Sequence, residues 1–159
     1  MSGKPFQIFQ LPGFSKGLAG LCKQPKCDAN FKTIAAWKTD MVVSLTETAE
    51  FPAIKPSLAE RFSAARYDWL HLPIVDFSTP SLDQNTLWQL ALARMKAVLD
   101  RNGKVLVHCR GGRGRSGMVL LKLLILQGED PEIALARLRK IRAGAVETDA
   151  QALWATMPL

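Results

Sequence analysis

Apolar positions along the chain keep two spacings. Short runs at Met41 to Leu45, which is apolar and β-branched, Leu70 to Ile74 and Lys104 to His108 read as strands, and Phe6 to Phe9 reads as an edge strand. Between them the spacing becomes helical. Phe31, Ile34 and Trp37 share one face behind Asp28 or Asn30 as cap, and Ser57 to Arg66 follows Pro56 as a helix. Ser81 and Gln84 have the form of a capping box for a long helix whose Leu87, Ala91, Met95 and Val98 line one side, with Asn102-Gly103 as its stop. An apolar helix is predicted from Arg115 to Leu126, closed by Gly128. Asp130-Pro131 then supplies a cap and first position for a helix that carries Leu135, Leu138 and Ile141 and ends near Gly144. Glu147 to Ala155 is the last helix. Alternating strands and helices predict an α/β fold: a single domain, with a central, mostly parallel sheet flanked by helices. No repeat, low-complexity tract or linker divides residues 1–159, and the pattern assigns no role to the lysine-bearing segment 1–27.

The composition, 48% hydrophobic and 22% charged over 159 residues, is that of a soluble globular protein. The longest apolar run, Met118 to Leu126, is interrupted by Lys122 and falls short of the roughly 20 residues of a membrane span. Pro5, Gln7, Gln10 and Pro12 break up any secretory apolar region, so a cytoplasmic location is expected. Three cysteines, Cys22, Cys27 and Cys109, are then expected to be free thiols. His71 and His108 stand at no metal-ligand spacing from them, and no metal is expected.

The net charge of +7 is concentrated. Lys4, Lys16, Lys23 and Lys26 precede the first acidic residue, Asp28, and Arg110, Arg113 and Arg115 lie within six residues; elsewhere 14 bases face 14 acids. Three arginines interleaved with glycines point to one focused anion site rather than a nucleic-acid surface, and no nucleic-acid partner is expected. The amino-terminal lysines read as a solvated stretch or a steering patch.

The segment His108-Cys109-Arg110-Gly111-Gly112-Arg113-Gly114-Arg115-Ser116-Gly117 joins a predicted strand to a predicted helix. Gly111, Gly112 and Gly114 permit a turn with inward-facing N–H groups at a helix N-terminus, a cradle that suits phosphate. Arg115, six residues beyond Cys109, has a planar fork that can hold two oxygens of the same anion, and Arg110 and Arg113 add charge around it. In this positive field Cys109 is expected to ionise readily and to act as a nucleophile. Ser116 is placed to donate a hydrogen bond to its sulfur, and His108 to order the loop. A glycine-rich nucleotide loop would need Lys-Ser where Arg115-Ser116 stands.

These residues resemble the His-Cys-x5-Arg-Ser phosphate loop of the cysteine-dependent protein tyrosine phosphatases. Leu72 to Pro80 resembles the general-acid segment of the compact dual-specificity group, and Lys38 to Thr148 is similar to its kinase-associated phosphatase branch. The resemblance implies a two-step, metal-free and cofactor-free hydrolysis of phosphate monoesters. Cys109 attacks phosphorus, Arg115 and the loop amides hold the oxygens, and Asp76 protonates the leaving group and then activates water. A bell-shaped rate profile on the acid side of neutrality follows. Asp68 and Asp83 compete with Asp76 for the acid's role, and Gln151 either helps place the attacking water or is a solvated helix residue. The implied substrate is a phosphorylated protein or peptide; Arg110 and Arg113 suit a phosphoinositide as the alternative, and a non-catalytic phosphoresidue-binding module is the further one.

Overall fold

Five strands form one sheet in the computed structural model, which describes residues 3–14 and 16–159. They are β1 (Phe9–Phe14), β2 (Gly17–Lys23), β3 (Met41–Ser44), β4 (Asp68–His71) and β5 (Lys104–Cys109), in the order β1-β2-β5-β3-β4. All neighbours run parallel except the edge pair β1 and β2. Among the described residues six α-helices cover the sheet: α1 (Asp28–Ala36), α2 (Leu58–Ala64), α3 (Asn85–Asp100), α4 (Gly114–Leu126), α5 (Pro131–Ile141) and α6 (Asp149–Thr156). The chain is a single α/β domain.

Alternation along β5 assigns the two faces. Val105, Val107 and Cys109 point into the larger core with α3, α4 and α6, while Leu106 lies in a smaller core with Ile34 of α1 and Leu58 and Phe62 of α2. Helix α4 is buried at every position from Gly114 to Leu124, so its apolar residues surround it rather than form a stripe. Each of its buried leucines contributes roughly 1.5–3 kcal/mol. Because α4 starts where β5 ends, its N-terminus is fixed at the carboxyl edge of the parallel strands.

Several expected elements shift. The edge strand is Phe9–Phe14 rather than Phe6 to Phe9, and Gly17–Lys23 is an unexpected second strand beside β5. Its glycines weaken any strand signal, but Gly20 packs where a Cβ would come within about 3.0 Å of Trp37 and Ile8. Strand β4 covers Asp68–His71, so of the expected run Leu70 to Ile74 only Leu70 and His71 pair with β3, and the chain leaves the strand ahead of Pro73. In α1 neither Asp28 nor Asn30 is the cap. Cys27 occupies that position, Asp28 is the first helical residue, and Asn30 Oδ1 accepts from Lys26 N at 3.0 Å. In α3 Leu87 is exposed, and Trp88, Leu92 and Leu99 join Ala91, Met95 and Val98 inside. Ser81 and Gln84 do form a capping box, but it closes the short 3-10 turn Leu82–Gln84, and α3 begins only at Asn85. Helix α5 ends at Ile141, three residues before Gly144, and α6 starts at Asp149 behind a Thr148 cap.

Candidate active site

The loop from Cys109 to Gly114 is tied down from outside by its carbonyls. Gln24 N donates to Arg110 O, Arg142 donates to Gly111 O at 2.9 Å and Gly112 O at 3.0 Å, and Gly117 N and Val146 N donate to Arg113 O. In a trans peptide the following N–H points opposite to the carbonyl, so the amides of Gly111, Gly112, Arg113 and Gly114 turn the other way, toward the loop interior. Gly112 has a φ of 68°, and a Cβ there would lie 2.5 Å from the Cys22 backbone. The loop packs flat against the end of β2 only because that residue is glycine.

Beneath these amides Cys109 is buried, with its Sγ 3.3 Å from Ser116 Oγ. Asp76, Phe77, Arg110, Gly111, Arg113 and Glu147 line a cavity of about 330 Å³ with Cys109. A larger groove of about 730 Å³ runs past Phe31, Arg61 and Tyr67 but contains neither cysteine nor glycine-rich loop. The smaller cavity is therefore the candidate site.

Arg115 is 1% exposed. Its Nη1 donates to Glu50 Oε2 at 2.8 Å and Ile74 O at 2.9 Å, and its Nη2 to Glu50 Oε1 at 2.8 Å while standing 3.2 Å from Asp76 Oδ1. Burial works against the charged guanidinium, but the Glu50 hydrogen bonds and the nearby Cys109 and Asp76 outweigh it and hold Arg115 above its ordinary value. The Arg115 bond likewise holds the Glu50 carboxyl below the usual range, against the opposing effect of burial. Arg115 Nε is buried without a partner and remains a donor for an oxyanion.

Glu50 is the principal site residue that sequence reasoning missed. It closes the short turn Thr48–Glu50, and its Oε2 also accepts from Glu47 N at 2.8 Å. The available signal was indirect: a buried arginine requires a carboxylate, and Glu47 and Glu50 follow β3 at the carboxyl edge of the sheet. Arg142, Arg139 and Glu147 were also missed. Arg139 fixes Ala145 O and Val146 O, each at 2.9 Å, in the loop that leads to Glu147.

Of the three candidate acids only Asp76 lines the cavity. Asp68 starts β4 at the opposite sheet edge and lies 3.7 Å from Arg94, and Asp83 is exposed in the turn before α3. Asp76 Oδ1 accepts from Phe77 N at 3.0 Å, and Phe77 itself is exposed with a φ of 61°. Arg110 is exposed at the rim and Arg113 half-buried. His108 is enclosed: its Nε2 meets Ser44 Oγ at 2.5 Å, Ser44 Oγ accepts from Trp69 Nε1 at 2.9 Å, and the ring stacks on Phe62. Burial pushes its pKa down to about 4. Gln151 is fully buried, which rules out the solvated alternative. Its Oε1 accepts from Glu147 N and Thr148 N, and its Nε2 donates to Ser78 O at 3.3 Å, bracing the two loops that carry Glu147 and Asp76.

Cys22 pairs in register with His108, so it faces the α1 and α2 side, while Cys109 faces α4. Burial, then the neighbouring Cys109, push the Cys22 thiol up. Cys27 is exposed at the start of α1.

The family model described as "PTP-SAK: Swiss Army Knife protein, DSP-PTPase phosphatase domain" matches residues 15–153. The chain is similar to cyclin-dependent kinase inhibitor 3 of Rattus norvegicus, 37% identical over 81 residues, which are 49% of this chain and 37% of the relative. The matched stretch thus spans little more than a third of that relative's length. Among solved structures, the active form of Tk-PTP is 32% identical with a TM-score of 0.70, over 87% of this chain and 90% of that one. Kinase associated phosphatase with its catalytic-site cysteine replaced by serine shares the fold, with a TM-score of 0.79, 24% identity and coverage of 97% and 94%.

Proposed function

Because the chain belongs to the Swiss Army Knife group of DSP-PTPase phosphatase domains, we propose that it hydrolyses phosphate monoesters on proteins through a cysteinyl-phosphate intermediate. The observation that carries this reading is the shared cavity. Cys109 and Asp76 both line it, and Asp76 stands 3.2 Å from an Arg115 whose Nε has no protein partner. A phosphate dianion entering this cavity takes the loop amides and Arg115 Nε as donors and competes with Asp76 for the guanidinium. Asp76, released from Arg115, is then free to turn toward the ester oxygen.

In the first step the Cys109 sulfur bonds to phosphorus as the ester P–O bond breaks, and the Asp76 proton passes to the departing oxygen. In the second, a water oxygen bonds to phosphorus, its proton returns to Asp76, and the P–S bond breaks. Ser116 Oγ, 3.3 Å from the sulfur, donates to it as it leaves. Gln151 and His108 act at one remove, the first by bracing the acid loop and the second by fixing the end of β5. A protein substrate is favoured over a lipid by the similarity to a cyclin-dependent kinase inhibitor.

Hydrolysis of a small aryl phosphate tests the assignment. Cys109→Ser is expected to abolish turnover while still binding phosphopeptide, and Asp76→Asn to slow it by about 10²–10⁴-fold. Equal rates for both variants and the wild type would remove the mechanism. Phosphopeptide binding by a wild type that turns nothing over would leave a binding module.

A further inference from the structure

Gln24 bridges two parts of the site that the chain builds separately. It follows β2, and its N–H donates to Arg110 O at 3.2 Å, one step past the last β2–β5 pair, Lys23 with Cys109. That carbonyl and the Gly111 N–H belong to one trans peptide, so the bond that holds the carbonyl outward also aims the amide at the cavity. The Gln24 side chain runs elsewhere. Its Nε2 donates to Glu50 O at 2.7 Å, and its Oε1 accepts from Thr46 Oγ1 at 2.7 Å. Because β2 and β3 flank β5 on opposite sides, the side chain crosses the carboxyl end of β5 to reach the segment after β3.

The crossing needs an amide. Glu50 O requires a donor and the Thr46 hydroxyl an acceptor, and a glutamine side chain supplies one of each on a single planar group. The far end is anchored in turn: Thr46 is fully buried, and its carbonyl meets Nε2 of His71, whose ring packs against both Phe51 and Trp69, at 2.8 Å. Glu50 then sets the Arg115 fork, with both of its oxygens 2.8 Å from the guanidinium. The Gly111 amide and the guanidinium have to meet the same tetrahedral anion, yet one is aimed from the end of β2 and the other from the turn after β3. We propose that Gln24 is a positioning residue that holds these two donors in register, acting on the amide through Arg110 O and on the guanidinium through Glu50. The inference rests on the phosphatase reading and adds to it a residue that does not line the catalytic cavity. A small displacement of either donor lengthens its bond to the oxyanion, and geometry of that kind governs rate as well as affinity.

Binding of inorganic phosphate, followed by calorimetric titration, tests this without turnover. Gln24→Met and Thr46→Val are each expected to bind phosphate about five- to tenfold more weakly than the wild type, with kcat/KM for a small aryl phosphate lowered about tenfold. Thr46→Ser keeps the hydroxyl and is expected to stay within about twofold of the wild type. In a Glu50→Gln background, Gln24→Met should weaken phosphate binding by less than about twofold, because the contact it acts through is already impaired. Variants that lose stability in urea yet bind phosphate like the wild type overturn the proposal and leave Gln24 a structural brace. A Thr46→Ser variant as defective as Thr46→Val overturns it too, as does an undiminished Gln24→Met effect in the Glu50→Gln background. If Gln24→Met does not fold, the two Thr46 variants decide the question by themselves. A wild type that binds phosphate but hydrolyses no aryl phosphate overturns the phosphatase reading instead, and the titrations still decide the role of Gln24.

Discussion

Arg115 sets the terms at the residue scale. A guanidinium with 1% exposure is stable only if its donors are engaged, and Glu50 engages two of them in a bidentate pair while leaving Nε free. Glu50 is therefore a positioning residue: it touches no substrate, yet it fixes which edge of the fork faces the cavity. Glu50→Gln keeps an acceptor but removes the charge, and the fork loses one of its two carboxylate bonds. The expected result is a loss of about 1–3 kcal/mol in stability and a roughly ten- to hundredfold fall in kcat/KM. Inorganic phosphate should inhibit correspondingly less well, since the altered fork binds any oxyanion poorly. Unchanged phosphate inhibition together with lowered stability would reduce Glu50 to a structural role. Cys109, Arg115 and Ser116 could be grouped from the sequence because one short loop holds them by connectivity. Glu50 and Arg142 reach the same loop across the fold from 65 and 31 residues away, and no local pattern encodes such contacts.

Helix α6 shows the same division at the scale of elements. Thr148 and Gln151 form its capping box, which is local and readable, but Gln151 also spends its amide on the loops around the site. The other end of α6 is held from outside, where buried Lys122 of α4 donates to Trp154 O at 2.9 Å and Met157 O at 2.6 Å and lies over the Trp154 ring. The ammonium thus caps the negative end of the helix dipole, although burial holds its pKa below the ordinary value. Lys122→Ala removes the donor and leaves a gap in the core, and urea unfolding is expected to show a loss of about 2–4 kcal/mol. Lys122→Met fills the space without burying a charge, and its loss should be less than half of that. Equal losses in the two variants would mean that packing around the stem does not matter. In the sequence Lys122 was legible only as an interruption of an apolar run, since its partners lie on a helix packed against α4 by the fold. Strand β2 stayed hidden for a related reason: Gly17–Lys23 becomes a strand by pairing with β5 and β1, not by its own propensity.

Across the whole molecule, the two buried polar networks that fix the loop both require alkaline or neutral forms. His108 sits between Ser44 and Phe62 with its pKa pushed down to about 4 by burial, against about 6.5 for an exposed histidine. Between those values the unfolded chain binds a proton that the native chain does not. The contribution of the neutral ring is therefore complete above pH 6.5 and is lost as the pH falls toward 4. The size of that loss is on the order of 3 kcal/mol. Glu50 acts in the same direction but later: its carboxyl is held below the usual range by Arg115, so its contribution fades only as the pH drops through and below the ordinary carboxylate range. Unfolding in urea at a series of pH values is expected to give a first decline between pH 6.5 and 4 and a further one below it. His108→Gln, which cannot titrate, should flatten the first decline and leave the second. A wild-type stability that is level from pH 7 to 5 would mean that the ring takes up its proton inside the fold, and the Ser44, His108 and Trp69 network would then have to be drawn with an imidazolium at its centre.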